Sequence, residues 1–120
     1  MAESRELAIA FAKALKSKKG KKVVVLKTAD LTTLTEYFVI CTGTSNTHVR
    51  ALSEECEKVA DQLGEPIHHQ EGHGNGEWVL MDYSSVVVHI FQEEAREFYD
   101  LERLWADAEP VELPEDEAQS

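Results

Sequence analysis

The run from Trp78 to Trp105, WVLMDYSSVVVHIFQEEAREFYDLERLW, constrains the fold more than any other stretch of the chain. Its first half reads as two apolar strands, Trp78 to Tyr83 and Val86 to Phe91, with only Ser84 and Ser85 between them. Two residues between β-rich runs is the spacing of a hairpin, although Ser-Ser suits the primed turns less well than Asn-Gly. Val86 to Phe91 does not alternate, so the spacing predicts a strand covered on both faces and central in its sheet. From Glu93 the period changes. Ala95, Phe98, Leu101 and Trp105 fall three or four apart and predict one helix over Glu93 to Trp105, with those residues facing the sheet. Tyr99 lies off that stripe. Glu93, Glu94 and Glu97 crowd the first turns, where negative charge suits the helix dipole.

The other elements are built to complete this unit. A helix is predicted over about Ser4 to Lys19 from Leu7, Phe11, Ala14 and Leu15, with Gly20 as its terminator. Strands follow at Val23 to Lys27 and Glu36 to Thr42, separated by a polar loop. Gly43-Thr44-Ser45-Asn46 turns the chain into a helix marked by Val49, Leu52, Cys56, Val59 and Leu63, which Gly64 and Pro66 end. Pro66 to Gln70 reads as a short strand and Glu71 to Glu77 as a glycine-rich loop. The order of elements predicts a single α/β domain over residues 1–107, a mixed sheet with helices packed on it. Residues 108–120 are acidic and without periodicity, and read as a disordered tail.

A chain of 120 residues with 42% hydrophobic side chains has enough material for one core. No apolar run approaches the roughly 20 residues that a membrane helix needs. The N-terminal segment has no cationic start or cleavage site of a signal peptide. Cys41 and Cys56 sit in a predicted strand and a predicted helix, with no sign of a disulfide scaffold, so a reduced, cytoplasmic protein is expected. Charge is unevenly spread around a net of −11. Seven lysines and no acid lie between Lys13 and Lys27, whereas eleven acids face two arginines from Glu93 onward. Such an acidic surface argues against broad or sequence-specific nucleic-acid binding and favours a basic protein partner, with plain solubility as the alternative. Lys18, Lys19, Lys21 and Lys22 form a candidate RNA-touching patch, but the favoured reading is a solvated helix end that complements the dipole.

Candidate chemistry is sparse. Gly43-Thr44-Ser45-Asn46 has the ingredients of an anion site but matches neither the Walker nor the three-glycine dinucleotide pattern, so an ordinary capped turn is favoured. Nucleotidyl transfer needs convergent carboxylates, and Asp82 has no Asp partner two residues away. His68 and His69 alternate across a strand and His73 lies in a glycine loop, which does not make a metal site. His89 reads as a core-edge histidine with a hydrogen-bond partner. Cys41 has no evident base, and Ser84 and Ser85 are turn residues. No cofactor is implied. What remains is a binding surface built from Trp78, Tyr83, Phe98, Tyr99 and Trp105 beside Asp82, Glu94 and Glu97, with Trp78 and Tyr83 as the better anchors.

The strings EYFVICTGTSNTHVRAL, WVLMDYSSVVVHIF and REFYDLERLW closely resemble the ribosomal silencing factor family, also called RsfS or Iojap-like, over residues 5 to 107. The resemblance implies a nucleotidyltransferase-like fold without catalytic carboxylates, hence a protein that is not an enzyme. It also implies binding to the large ribosomal subunit through ribosomal protein L-fourteen. Such binding would block subunit joining and repress translation under nutrient limitation. Matching motif residues suggest Trp78, Asp82 and Tyr83 as partner contacts, with Glu94, Arg96 and Tyr99 as further candidates. A homodimer of the free protein through the same hairpin remains open. So do a nucleotide-binding or nucleotidyltransferase-like enzyme using GTSN and Asp82, and a metal-binding module using the histidine loop.

Overall fold

The computed structural model describes residues 3–72, 74 and 76–113. In chain order these form α1 (Ser4–Ser17), β1 (Lys21–Lys27), β2 (Tyr37–Gly43), α2 (Asn46–Gln62), β3 (His69–Glu71), β4 (Trp78–Asp82), β5 (Val86–Gln92), α3 (Glu93–Tyr99), α4 (Leu101–Leu104) and β6 (Glu109–Pro110). Every residue of β2 is buried, and β5 is nearly so. Strands without a polar face need cover on both sides, and these two lie side by side, parallel, at the centre of a sheet ordered β3-β4-β5-β2-β1-β6. All other pairings are antiparallel.

The two faces of the sheet are covered unequally. Leu7, Phe11 and Leu15 of α1 and Val49, Leu52 and Cys56 of α2 pack on Val39, Cys41, Met81, Val88 and Ile90, which form the main core. The opposite face carries Phe38, Ile40 and Phe91, under Trp78, Ala95, Leu101 and Trp105. Here the cover among the described residues is only α3, the short α4 and the turn after it. Gly43 and Ser45 set the passage from β2 into α2. A Cβ on Gly43 would lie 2.7 Å from Val49 Cγ2, so only glycine lets the helix start this close to the strand end. Ser45 caps the helix, its side chain accepting from the His48 N–H at 3.1 Å.

Several expectations are revised. The predicted helix over Glu93 to Trp105 breaks at Asp100, which is left-handed (φ 46°) and separates α3 from α4. The left-handed residue after α1 is Lys19, not Gly20. Gly20 is required for another reason: a Cβ there would sit 2.5 Å from Cys41 Sγ. The hairpin connection spans Tyr83 to Ser85, one residue longer than expected. The ordered fold also runs past the boundary at residue 107. Glu109 and Pro110 pair with Lys27 and Leu26, and Val111 is buried in the main core. Proline suits this position because β6 is an edge strand. Residues 114–120 of the expected tail, and His73, lie outside the described residues.

Candidate partner-binding site

Trp78 opens β4 on the thinly covered face. Directly across the ladder stands Phe91, whose ring stacks on the indole at 4.9 Å between centroids. The indole N–H donates to His89 Nδ1 at 3.2 Å. Because β5 runs into α3 with no intervening loop, Tyr99 comes back over Trp78 at 4.6 Å. Phe98 then meets Tyr99 edge-on at 5.1 Å. On the inner side, His89 contacts Phe38, and Phe38 contacts Trp105. The result is a continuous file of rings from the core to the surface. Such contacts make Trp78 a rigid platform, since the rings of Phe91 and Tyr99 pack on its indole and its polar atom is satisfied.

His89 is enclosed by this file. Burial pushes its pKa down to about 4, so the ring is neutral near pH 7. Accepting at Nδ1 places the ring proton on Nε2, which is buried and has no hydrogen-bond partner among the described residues. Cys41 and Cys56 are likewise buried thiols; desolvation raises Cys41 to about 12 and Cys56 well above its ordinary value, so neither supplies a thiolate nucleophile.

At the outer end the apolar surface is open. Phe98 is 80% exposed, Tyr99 47% and Leu104 76%. Phe98 and Tyr99 line a groove of about 810 Å³ together with Glu77, Glu93, Glu94 and the lysines 21 and 22. Glu97 and Asp100 are exposed on the same short helical segment. Aromatic side chains rimmed by carboxylates form a surface suited to a basic protein, with rings as anchors and acids meeting Lys or Arg.

Of the six residues expected at a partner site, Trp78, Tyr99 and Glu94 come together here. The other three do not. Asp82 lies four residues along β4 from Trp78, about 13 Å at ordinary strand rise. There its Oδ1 accepts from the Ser84 N–H at 2.7 Å, holding the hairpin turn in which Ser84 is left-handed. Tyr83, expected to be one of the better anchors, is 3% exposed and packs on Phe11 in the core of the opposite face, 4.8 Å between rings. Arg96 is buried too. Its Nη1 donates to the Lys22 carbonyl and to Thr42 Oγ1, and its Nε to Glu102, all at 2.8 Å. It is the bolt that holds α3 to β1 and β2. Conversely Phe98, expected to face the sheet, is the most exposed ring of the site. The inward face of α3 is Ala95, Arg96 and Tyr99, and Phe98 falls outside it.

The alternative chemistries find little support in the geometry. Asp30 pairs with Lys27 at 3.8 Å on a loop. His69 pairs with Glu71 at 2.9 Å, and no group of three His, Cys, Asp or Glu side chains that could hold a metal ion occurs among the described residues. Among the described residues no helix is long and apolar enough to cross a membrane.

A family model described as "Ribosomal silencing factor during starvation" matches residues 1–120. The chain is 39% identical over 110 residues to the ribosomal silencing factor RsfS of Halalkalibacterium halodurans, covering 92% of this chain and 94% of that one. A crystal structure of a protein from Chromobacterium violaceum superposes with a TM-score of 0.85 at 35% identity, over 97% of this chain and 93% of that chain. A mouse protein named "Mitochondrial assembly of ribosomal large subunit protein 1" is 32% identical over 94 residues, which is 76% of this chain and 41% of the mouse protein.

Proposed function

The chain belongs to the ribosomal silencing factor family, and from that membership we propose that it binds the large ribosomal subunit through ribosomal protein L-fourteen and blocks joining with the small subunit. The observation that carries the mode of binding is the open aromatic file. Trp78 is fixed between Phe91 and Tyr99, and Phe98 projects beyond them, 80% exposed, among Glu77, Glu94 and Glu97. A basic ribosomal protein is a fitting partner for that surface and for a chain of net −11. Large-subunit binding accords with the name of the mouse relative. Trp78, Phe98, Tyr99 and Glu94 are the proposed contacts. Asp82 is a turn residue of the same hairpin, and Tyr83 and Arg96 hold the surface in place from below.

The mechanism is occlusion. A domain seated on the joining face keeps the small subunit away by volume, with no bond made or broken. The fold is then a nucleotidyltransferase-like scaffold without the carboxylate pair such chemistry needs, acting on ribosomes in the cytoplasm. A homodimer of the free protein through the same aromatic face would bury the same residues and compete with the ribosome.

Binding to isolated large subunits tests the assignment of contacts. Phe98→Ala and Trp78→Ala should each weaken binding by about 2 kcal/mol or more, roughly thirtyfold. Undiminished binding by both variants would move the contact elsewhere on the surface.

A further inference from the structure

The turn that joins α1 to β1 is the cationic counterpart of the acidic site. Sequence alone favours a solvated helix end for its lysines, but the structure alters that weighting in two ways. The first is rigidity. The turn is closed by hydrogen bonds from Lys18 N to Leu15 O at 3.2 Å, from Lys19 N to Lys16 O at 3.0 Å and from Gly20 N to Leu15 O at 2.8 Å. His48 joins it to the start of α2. Its Nδ1 accepts from the Thr44 N–H at 2.9 Å and its Nε2 donates to the Lys18 carbonyl at 2.8 Å. Lys19 (φ 64°) in the turn and Lys22 (φ 50°), at the register shift that opens β1, hold left-handed conformations, on the order of 1 kcal/mol each for a side-chain-bearing residue. Glycine or asparagine would close a merely solvated turn at less cost.

The second is position. Lys21 and Lys22 line the same groove as Phe98 and Tyr99, so the cationic turn borders the proposed protein contact. The side chains of Lys18, Lys19 and Lys21 are exposed and form no ion pair among the described residues; Lys22 pairs with Glu93 at 3.0 Å. A chain of net −11 approaching an RNA-rich particle is repelled by it, and a fixed cluster of unpaired cations beside the contact face offsets that repulsion locally.

We propose that the turn Lys18–Lys22 is a second docking surface, which contacts the RNA phosphate backbone next to the protein bound by the aromatic file. The inference rests on the ribosome-binding reading above. Lysine is a point charge on a long stem, and the turn offers no aromatic ring to stack on a base. The contact is therefore a sequence-independent one that sets orientation and affinity.

The probe is the isolated large subunit, with purified ribosomal protein L-fourteen as a separate arm. The variant carries Lys18→Gln, Lys19→Asn and Lys21→Gln together, asparagine being chosen because it tolerates the left-handed position. If the three lysines contact phosphates, each contributes about 0.7–0.9 to the slope of log affinity against log salt. Between 50 and 200 mM salt the wild-type protein should then lose roughly thirtyfold more affinity than the variant. Binding to the isolated protein should be the same for both. Equal salt slopes on the subunit would overturn the inference and return the turn to a solvated helix end. An equal loss in the isolated-protein arm would also overturn it, by assigning the lysines to a protein contact. Wild-type protein that fails to bind the subunit at all would instead defeat the ribosome reading, and this inference with it.

Discussion

At Phe98 the ring is exposed on three-quarters of its surface or more and touches Tyr99 edge-on, so truncating it removes little from the core. Phe98→Ala should change stability by no more than about 0.5 kcal/mol while weakening partner binding. Tyr83→Ala should do the reverse at the level of the fold, costing about 3 kcal/mol by leaving a cavity against Phe11. Chemical denaturation of both variants reads the contrast directly; equal stability losses would contradict the placement of the two rings. His89 gives a pH signature. Its folded pKa, about 4, lies below its ordinary value of 6.5, so as acid is added the unfolded chain binds the proton first. The neutral ring's contribution is fully present above pH 6.5, is lost as pH falls through that window, and has no further effect below about 4. The total is about 3 kcal/mol. Comparing wild type with His89→Gln over pH 4 to 7 should show a steeper loss in the wild type, and parallel curves would mean that the ring is not buried as described. His89 as a partnered core-edge residue was legible in the valine run around it. Its partner, Trp78, was not, because a ladder register cannot be read from one strand.

The elements divide according to how their information is carried. The helices Ser4–Ser17 and Asn46–Gln62 and the central strands Tyr37–Gly43 and Val86–Gln92 were legible because periodicity and unbroken apolar runs are local signals. The last helix was not, because its break depends on a single residue. Asp100 adopts a left-handed conformation that aspartate tolerates but does not announce. That one dihedral changes the phase of everything after it, so Leu101 and Trp105 do not continue the stripe of Ala95 and Phe98. The strand at Glu109–Pro110 was hidden for a related reason, since an acidic, proline-marked segment reads as tail unless an edge strand is there to receive it. Arg96 shows the cost of an unseen contact. Nothing in the sequence links it to Thr42, 54 residues away, yet it anchors α3 to the sheet. Arg96→Leu should cost about 2–3 kcal/mol by leaving Thr42 and Glu102 without their donor. It should also weaken partner binding, because α3 carries Phe98 and Tyr99. Full retention of both would contradict its role. Asp100→Gly should stabilise the fold by up to about 1 kcal/mol in the same denaturation series, and a loss would show that the aspartate side chain supports the break.

On the scale of the whole molecule, charge and shape act together. The sheet presents one thickly covered face and one thin one, and the open aromatic file lies on the thin face with carboxylates around it. Net charge and its asymmetry were legible from composition. Of the six residues expected at a partner contact, Trp78, Glu94 and Tyr99 converge on the candidate surface, whereas Asp82, Tyr83 and Arg96 belong to the turn and the interior. The central claim is that this surface holds the chain on the large subunit and so keeps the small subunit off. The most direct measurement mixes purified large and small subunits at increasing protein concentration and resolves free and joined particles by sedimentation. The account predicts that joined ribosomes decline as the protein accumulates on large subunits, and that Phe98→Ala shifts the effect to higher concentration. Protein that sediments with large subunits while joining proceeds undiminished would contradict it.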